Sequence, residues 1–187
     1  MRLIMSGPPG SGLVAQQSRA ARYWRIPAVS LGSAVRDELA ADSALGRQAI
    51  ELFDRGAELG DALPVDILLS HLDRVDDGRG FVLHGLPASV PQAELLARRL
   101  MMRGTPLRAV LLLDEPEETT LARLTGQARA HGDESGFRER LALFETLRRP
   151  VLEFYRDHAR QGGIPCYSVS AAGSEDEIFE RIVALLE

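Results

Sequence analysis

The chain has 187 residues, 45% of them hydrophobic, with a formal net charge of −5 and an isoelectric point near 5.5. That length suits a single domain with a sizeable core, and the acidic balance argues against a nucleic-acid-binding surface. A single cysteine, Cys166, excludes an internal disulfide framework. No apolar run reaches the roughly 18 residues of a membrane span, and the first apolar run is too short for a signal peptide. The expectation is a monomeric cytoplasmic protein.

Residues 3–5 form the first apolar run. Gly7-Pro8-Pro9-Gly10-Ser11-Gly12 follows, and a helical pattern then covers 13–24. Strand, glycine-rich loop and helix in that order is the context of a phosphate-binding loop. Its template, G-x-x-x-x-G-K-[ST], places lysine and then a hydroxyl after the second glycine. Leu13 and Val14 stand there instead, and the next residue is Ala15. Backbone N–H groups at a helix start can hold an anion without those side chains, but the ammonium and the hydroxyl are gone. All 22 basic residues are arginine. A drift from lysine to arginine would keep the charge, and leucine does not.

Residues 28–30 make a second apolar run. Helical patterns without a strand then fill 31–64, which reads as a helical insert. A third run, 81–83, ends at His84. A helix is predicted over 91–102, with Pro91 near its start and Gly104 past its end. A fourth run covers 109–113, and a short helical pattern covers 119–124. Polar residues 127–136 read as a short cap. The long helical pattern over 137–159 should be kinked or divided at Pro150. Residues 166–169 give the fifth run, and 174–186 a closing helix with Ser174 as its N-cap and acidic residues after it. The runs are short and nearly continuous in apolar character, as in strands buried on both faces. Their alternation with helices predicts an α/β fold with a five-stranded parallel sheet.

His84 falls at a strand end, where open α/β sheets bind ligands. It is read either as a general acid or base or as an inert filler of its position. No ligand spacing supports a metal site. Cys166 is read as a small buried hydrophobe, and Arg98-Arg99 and Arg148-Arg149 as solvated helix faces.

These residues resemble the adenylate kinase family, of the short-lid bacterial type, along the full length. Gly7 to Gly12 is similar to the family's P-loop start. Ile26-Pro27, Ser30-x-Gly32, Leu45-Gly46-Arg47-Gln48, Gly56 and Asp61 follow the approach to its monophosphate-binding insert. Gly80-Phe81-Val82-Leu83-His84-Gly85-Leu86-Pro87-Ala88, ending in Gln92-Ala93, follows the signature G-F-[LIV]-[LIV]-D-G-[FY]-P-R-x-x-x-Q-A. Arg123-Leu124-x-Gly126, Arg129-Ala130-His131-Gly132 and Arg138-x-Arg140-Leu141 resemble the lid region. The resemblance implies one P-loop nucleoside-monophosphate-kinase domain over 1–187, with a helical monophosphate-binding insert at 31–64 and a short lid at 127–136.

The departures fall on chemistry. Leu13, Val14 and Ala15 replace the phosphate lysine and its neighbours, and Leu31 and Ser33 replace a threonine and an aspartate. His84 stands for the magnesium-associated aspartate, Ala88 and Gln127 for arginines, and His131 and Gly132 for the lid's aspartates. Arg36, Gln92, Arg123, Arg129 and Arg140 remain. By resemblance, Gln92 recognises adenine and the arginines grip phosphates. Phosphoryl transfer depends on positioned charge, and removing one such donor lowers rates by roughly 10²–10³. The expectation is a protein that binds a nucleotide or nucleotide-like anion with ordinary phosphoryl transfer largely lost. Two alternatives stay open: a repurposed enzyme acting on a phosphorylated nucleoside, and a weak nucleoside-monophosphate kinase. The candidate catalytic residues are His84, Arg123 and Arg140. The candidate anion-binding residues are Gly7, Gly10, Ser11, Gly12, Arg36, Gln92 and Arg129. No cofactor is identified, and the lost hydroxyl and carboxylate weigh against magnesium–nucleotide binding.

Overall fold

The computed structural model describes residues 1–114, 139, 142 and 144–187. Five strands form one sheet: β1 (Arg2–Ser6), β2 (Ala28–Ser30), β3 (Phe81–His84), β4 (Ala109–Asp114) and β5 (Cys166–Ser170). Their order across the sheet is β2-β3-β1-β4-β5, and every pairing is parallel. Ile4 of β1 lies opposite Leu83 on one side and Val110 on the other. The apolar runs predicted all five strands, each observed at the same place or extended by one or two residues.

Helices cover both faces. They are α1 (Leu13–Trp24), α2 (Leu31–Ala40), α3 (Ala44–Asp54), α4 (Ala62–Val75), α5 (Val90–Met102), α6 (Arg149–Arg160) and α7 (Glu175–Leu186). Side chains alternate along β1 as strand geometry requires. Leu3 and Met5 join Val82, Leu111, Ile178 and Ile182 in a core beneath α1 and α7. Ile4 joins Leu68, Leu96, Leu100 and Tyr155 in the core beneath α4, α5 and α6. A smaller cluster of Ala34, Ala49, Leu63 and Ile67 holds α2, α3 and α4 together. The last of these helices begins inside the predicted insert and continues to Val75, so one body serves both insert and main core.

Pro150 does divide the predicted long helix. A π-helical turn, Phe144–Arg148, comes immediately before α6, and Pro150 sits in the first turn of α6. A first-turn proline has no helical N–H bond to lose. Ser174 caps α7 as predicted. Its Oγ accepts from Glu177 N at 3.3 Å, while Glu177 Oε2 accepts from Ser174 N at 2.7 Å. The helix predicted over 119–124 and the cap over 127–136 lie outside the described residues. No helix among those described is long and apolar enough to cross a membrane.

Candidate active site

The site is assembled where β1, β3 and β4 end. The chain leaves β1 at Ser6 and turns through Gly7 to Gly12 before α1 begins. Gly10 and Gly12 hold φ of 88° and 75°, the left-handed region open to glycine. Ser11 N donates to Pro8 O at 3.1 Å, which tightens the turn. Ser11 itself is fully buried, and its hydroxyl has no hydrogen-bond partner among the described residues.

A cavity of ≈ 610 Å³ opens between this loop and the π-helical turn. Its walls include Gly7, Gly10, Gly12, Leu13, Val14, Phe144, Leu147 and Arg148. A second, smaller one of ≈ 160 Å³ lies against the strand ends, bordered by Ser6, Leu13, His84, Arg148, Val151 and Tyr155. Gly7, Leu13, Phe144 and Arg148 border both. Leu13 therefore presents an isobutyl group where the P-loop template would place an ammonium. Val14 is 63% exposed, so an apolar branched side chain stands at the mouth.

His84 closes β3, in register with Ser30 of β2. It is half-buried and borders the smaller cavity. Burial first, and the Arg148 charge second, hold its pKa below the ordinary imidazole value of 6.5. The ring is therefore neutral near pH 7.

Arg148 departs from the sequence expectation. It is not on a solvated helix face. It is half-buried, and its Nη1 donates to Pro87 O at 2.8 Å. Burial lowers its pKa, and no described carboxylate pairs with it. A run of two arginines in a helical pattern carries no signal for which of them turns inward. Arg149, its neighbour, is exposed. Tyr155 completes the inner wall. It is 1% exposed, its phenol oxygen has no hydrogen-bond partner among the described residues, and burial pushes its pKa well above the ordinary value.

The other expected residues are spread around this centre. Arg36 lies on α2, exposed and without a described ion-pair partner. Gln92 lies on α5 and is 6% exposed. Its Oε1 accepts from Ala88 N at 2.8 Å and so braces the loop after β3. Ser89 caps the same helix, accepts from Gln92 N at 3.2 Å and donates to Asp61 Oδ1 at 2.5 Å. That bond ties the end of the insert to the start of α5. Leu31 and Ser33 have local duties: Leu31 packs against two of the cores, and Ser33 forms a capping box with Ser30 at the head of α2. Arg123, Arg129 and Arg140 lie outside the described residues, as do Gln127, His131 and Gly132.

The adenylate kinase family model matches residues 5–160. The adenylate kinase of Xanthomonas oryzae pv. oryzae is 37% identical over 186 residues, covering 97% of either chain. That of Xylella fastidiosa is 36% identical over 190 residues, covering 100% of this chain and 99% of its own.

The chain belongs to the adenylate kinase family.

Membership in the adenylate kinase family raises the question of magnesium. The donor set described does not fit it. Val14 carries no oxygen where the P-loop template supplies a magnesium-binding hydroxyl, and β3 ends in an imidazole with a charged guanidinium nearby. Magnesium prefers oxygen ligands, chiefly carboxylates and waters. No group of three or more potential metal ligands occurs among the described residues.

Proposed function

We propose that this adenylate kinase family member binds a nucleotide or a nucleotide-like anion at the P-loop, with ordinary phosphoryl transfer between nucleotides largely lost. The observation that carries this reading is Leu13. The loop and helix start that can hold an anion through main-chain N–H groups are intact, and the side chain next to them in both cavities is hydrocarbon. The related chains carry the name adenylate kinase, which makes an adenine nucleotide the first ligand to test. In this reading Gly7, Gly10, Ser11 and Gly12 form the anion cradle. The insert at 31–64, with Arg36, and Gln92 on α5 receive a monophosphate. Arg129, Arg123 and Arg140 act from the region of the short lid at 127–136. The protein works as a cytoplasmic monomer on a small ligand.

Two measurements test it together. Thermal shift with AMP, ADP and ATP, with and without magnesium, should show stabilisation by at least one nucleotide. Coupled detection of ADP from ATP plus AMP should show turnover far below the roughly 10 s⁻¹ median of enzymes. Turnover near that median would replace this reading with a working kinase. No shift with any nucleotide would remove the binding half.

A second reading rests on His84. A neutral imidazole bordering a cavity beside a guanidinium has the equipment of a general base, which would suit a repurposed enzyme acting on a phosphorylated nucleoside. His84→Ala should then abolish product formation while leaving ligand binding in place. Unchanged activity would reduce His84 to a space-filling residue.

A further inference from the structure

The wall of the site that faces Leu13 is not apolar throughout. Arg148, last residue of the π-helical turn, borders the cavity of ≈ 610 Å³ and the one of ≈ 160 Å³. A guanidinium has five N–H donors in a fixed fork. One described bond, from Nη1 to Pro87 O at 2.8 Å, anchors it. A half-buried cation that no described carboxylate pairs with is unfavourable unless something anionic completes it. The N-terminal residues of α1 border the same space: Gly12, Leu13, Val14 and Ala15 all line the larger cavity. Tyr155, 1% exposed, also lines the inner cavity. A guanidinium and a helix start on the walls of one cavity make a receptor for a tetrahedral oxyanion.

We propose that Arg148 is the cation that grips a phosphate group of the ligand against the start of α1, taking over the task that Leu13 cannot perform, and that it does so without a divalent metal. This deepens the nucleotide-binding reading and rests on it. The charge has moved from the loop to the opposite wall of the same cavity. From that wall a planar fork can engage two oxygens at once, where an ammonium on the loop would act as a point charge.

The test is titration calorimetry of ADP in EDTA against four proteins: the natural chain, Arg148→Gln, Arg148→Lys, and Arg148→Gln combined with Leu13→Lys. Glutamine keeps an N–H donor for Pro87 O while removing the charge. We expect the natural chain to bind, Arg148→Gln to bind roughly tenfold to a hundredfold more weakly, Arg148→Lys to fall between them, and the double variant to regain most of the loss. Equal binding by Arg148→Gln and the natural chain overturns the assignment and leaves nucleotide binding standing. So does a requirement for magnesium in the natural chain. A loss that neither the lysine variant nor the double variant restores shows Arg148 to be a strut beneath Pro87, which also overturns it. Failure of the natural chain to bind any adenine nucleotide, with or without magnesium, defeats both readings together.

Discussion

Arg74 on α4 reaches the carboxylate of Glu38 on α2, Nη2 to Oε1, at 2.6 Å, and Glu38 is 1% exposed. This pair joins the insert to the helix that continues into the main core. Burial alone would raise the Glu38 pKa. Hydrogen bonds involving Ser43, Ser70 and Arg74, with the Arg74 charge, outweigh it and hold the carboxyl below its ordinary 4.5. A depressed folded-state pKa adds stability that is complete above the unfolded value and fades as pH falls through the folded one. Glu38→Gln should therefore lower unfolding free energy at pH 7 by about 1.5–3 kcal/mol. The lower part of that range is expected because the Arg74 side chain is 43% exposed. Urea melts at pH 7 and at pH 3.5 would check it: the gap between variant and natural chain should narrow at the acid end.

Gly46 on α3 lies against the backbone of α2. A β-carbon there would sit 2.7 Å from both the carbonyl carbon and the carbonyl oxygen of Glu38, and 2.9 Å from Leu39 N. Backbone cannot rotate aside as a side chain can. Gly46→Ala should destabilise by about 1–3 kcal/mol, seen in calorimetry as a Tm lower by about 2–4 °C for each kcal/mol. An unchanged Tm would mean that α2 and α3 slide apart freely.

His84 should titrate below 6.5, because burial and the Arg148 charge both disfavour its protonated form. The sign for stability follows: below pH 6.5 the unfolded chain takes up the proton more readily, so this residue subtracts stability as the solution is acidified. Arg148→Gln removes the second cause and leaves the first, so the imidazole midpoint should move upward. Proton–nitrogen NMR of the ring across pH 4–8 reads both values. A midpoint that does not move would place the two side chains too far apart to interact.

Tyr155→Phe removes a hydroxyl that has no partner in the described structure while keeping the ring that fills the core. An unsatisfied buried hydroxyl costs about 1–3 kcal/mol, so the unliganded variant should be as stable as the natural chain or more so. Chemical denaturation measures this. A clear loss of stability would show that the hydroxyl has a structural partner.

The fold was legible because the residues that specify it are local and repetitive. Runs such as Leu3-Ile4-Met5 and Ala109 to Leu113 are apolar without alternation, which only a doubly covered strand requires. Ser174 with Glu177, and Pro91 with Gly104, mark helix ends by chemistry that acts within a few residues. The site was legible only in part. The loop from Gly7 to Gly12 and the missing lysine were evident, since both are set by sequence spacing. Arg148 was not, because its importance comes from meeting Pro87 and His84, which lie about sixty residues away in the chain. Family pattern alone points Gln92 to a ligand; its side-chain oxygen accepts from Ala88 N, a partner consistent with four-residue spacing next to a helix cap. Ser33 stands where the family pattern has a carboxylate, and its spacing from Ser30 is that of the capping box it forms.

The widened turn at Phe144–Arg148 gives the geometry around Arg148 an unusual dependence on chain length. An α-helix advances about 100° per residue, and a turn closed over five residues absorbs one more than its neighbours do. Excising Thr146, which borders neither cavity, would swing the guanidinium a quarter-turn or more away from Pro87. In this protein the heading of the key cation is encoded as a count, and a deletion could silence the site as surely as a substitution.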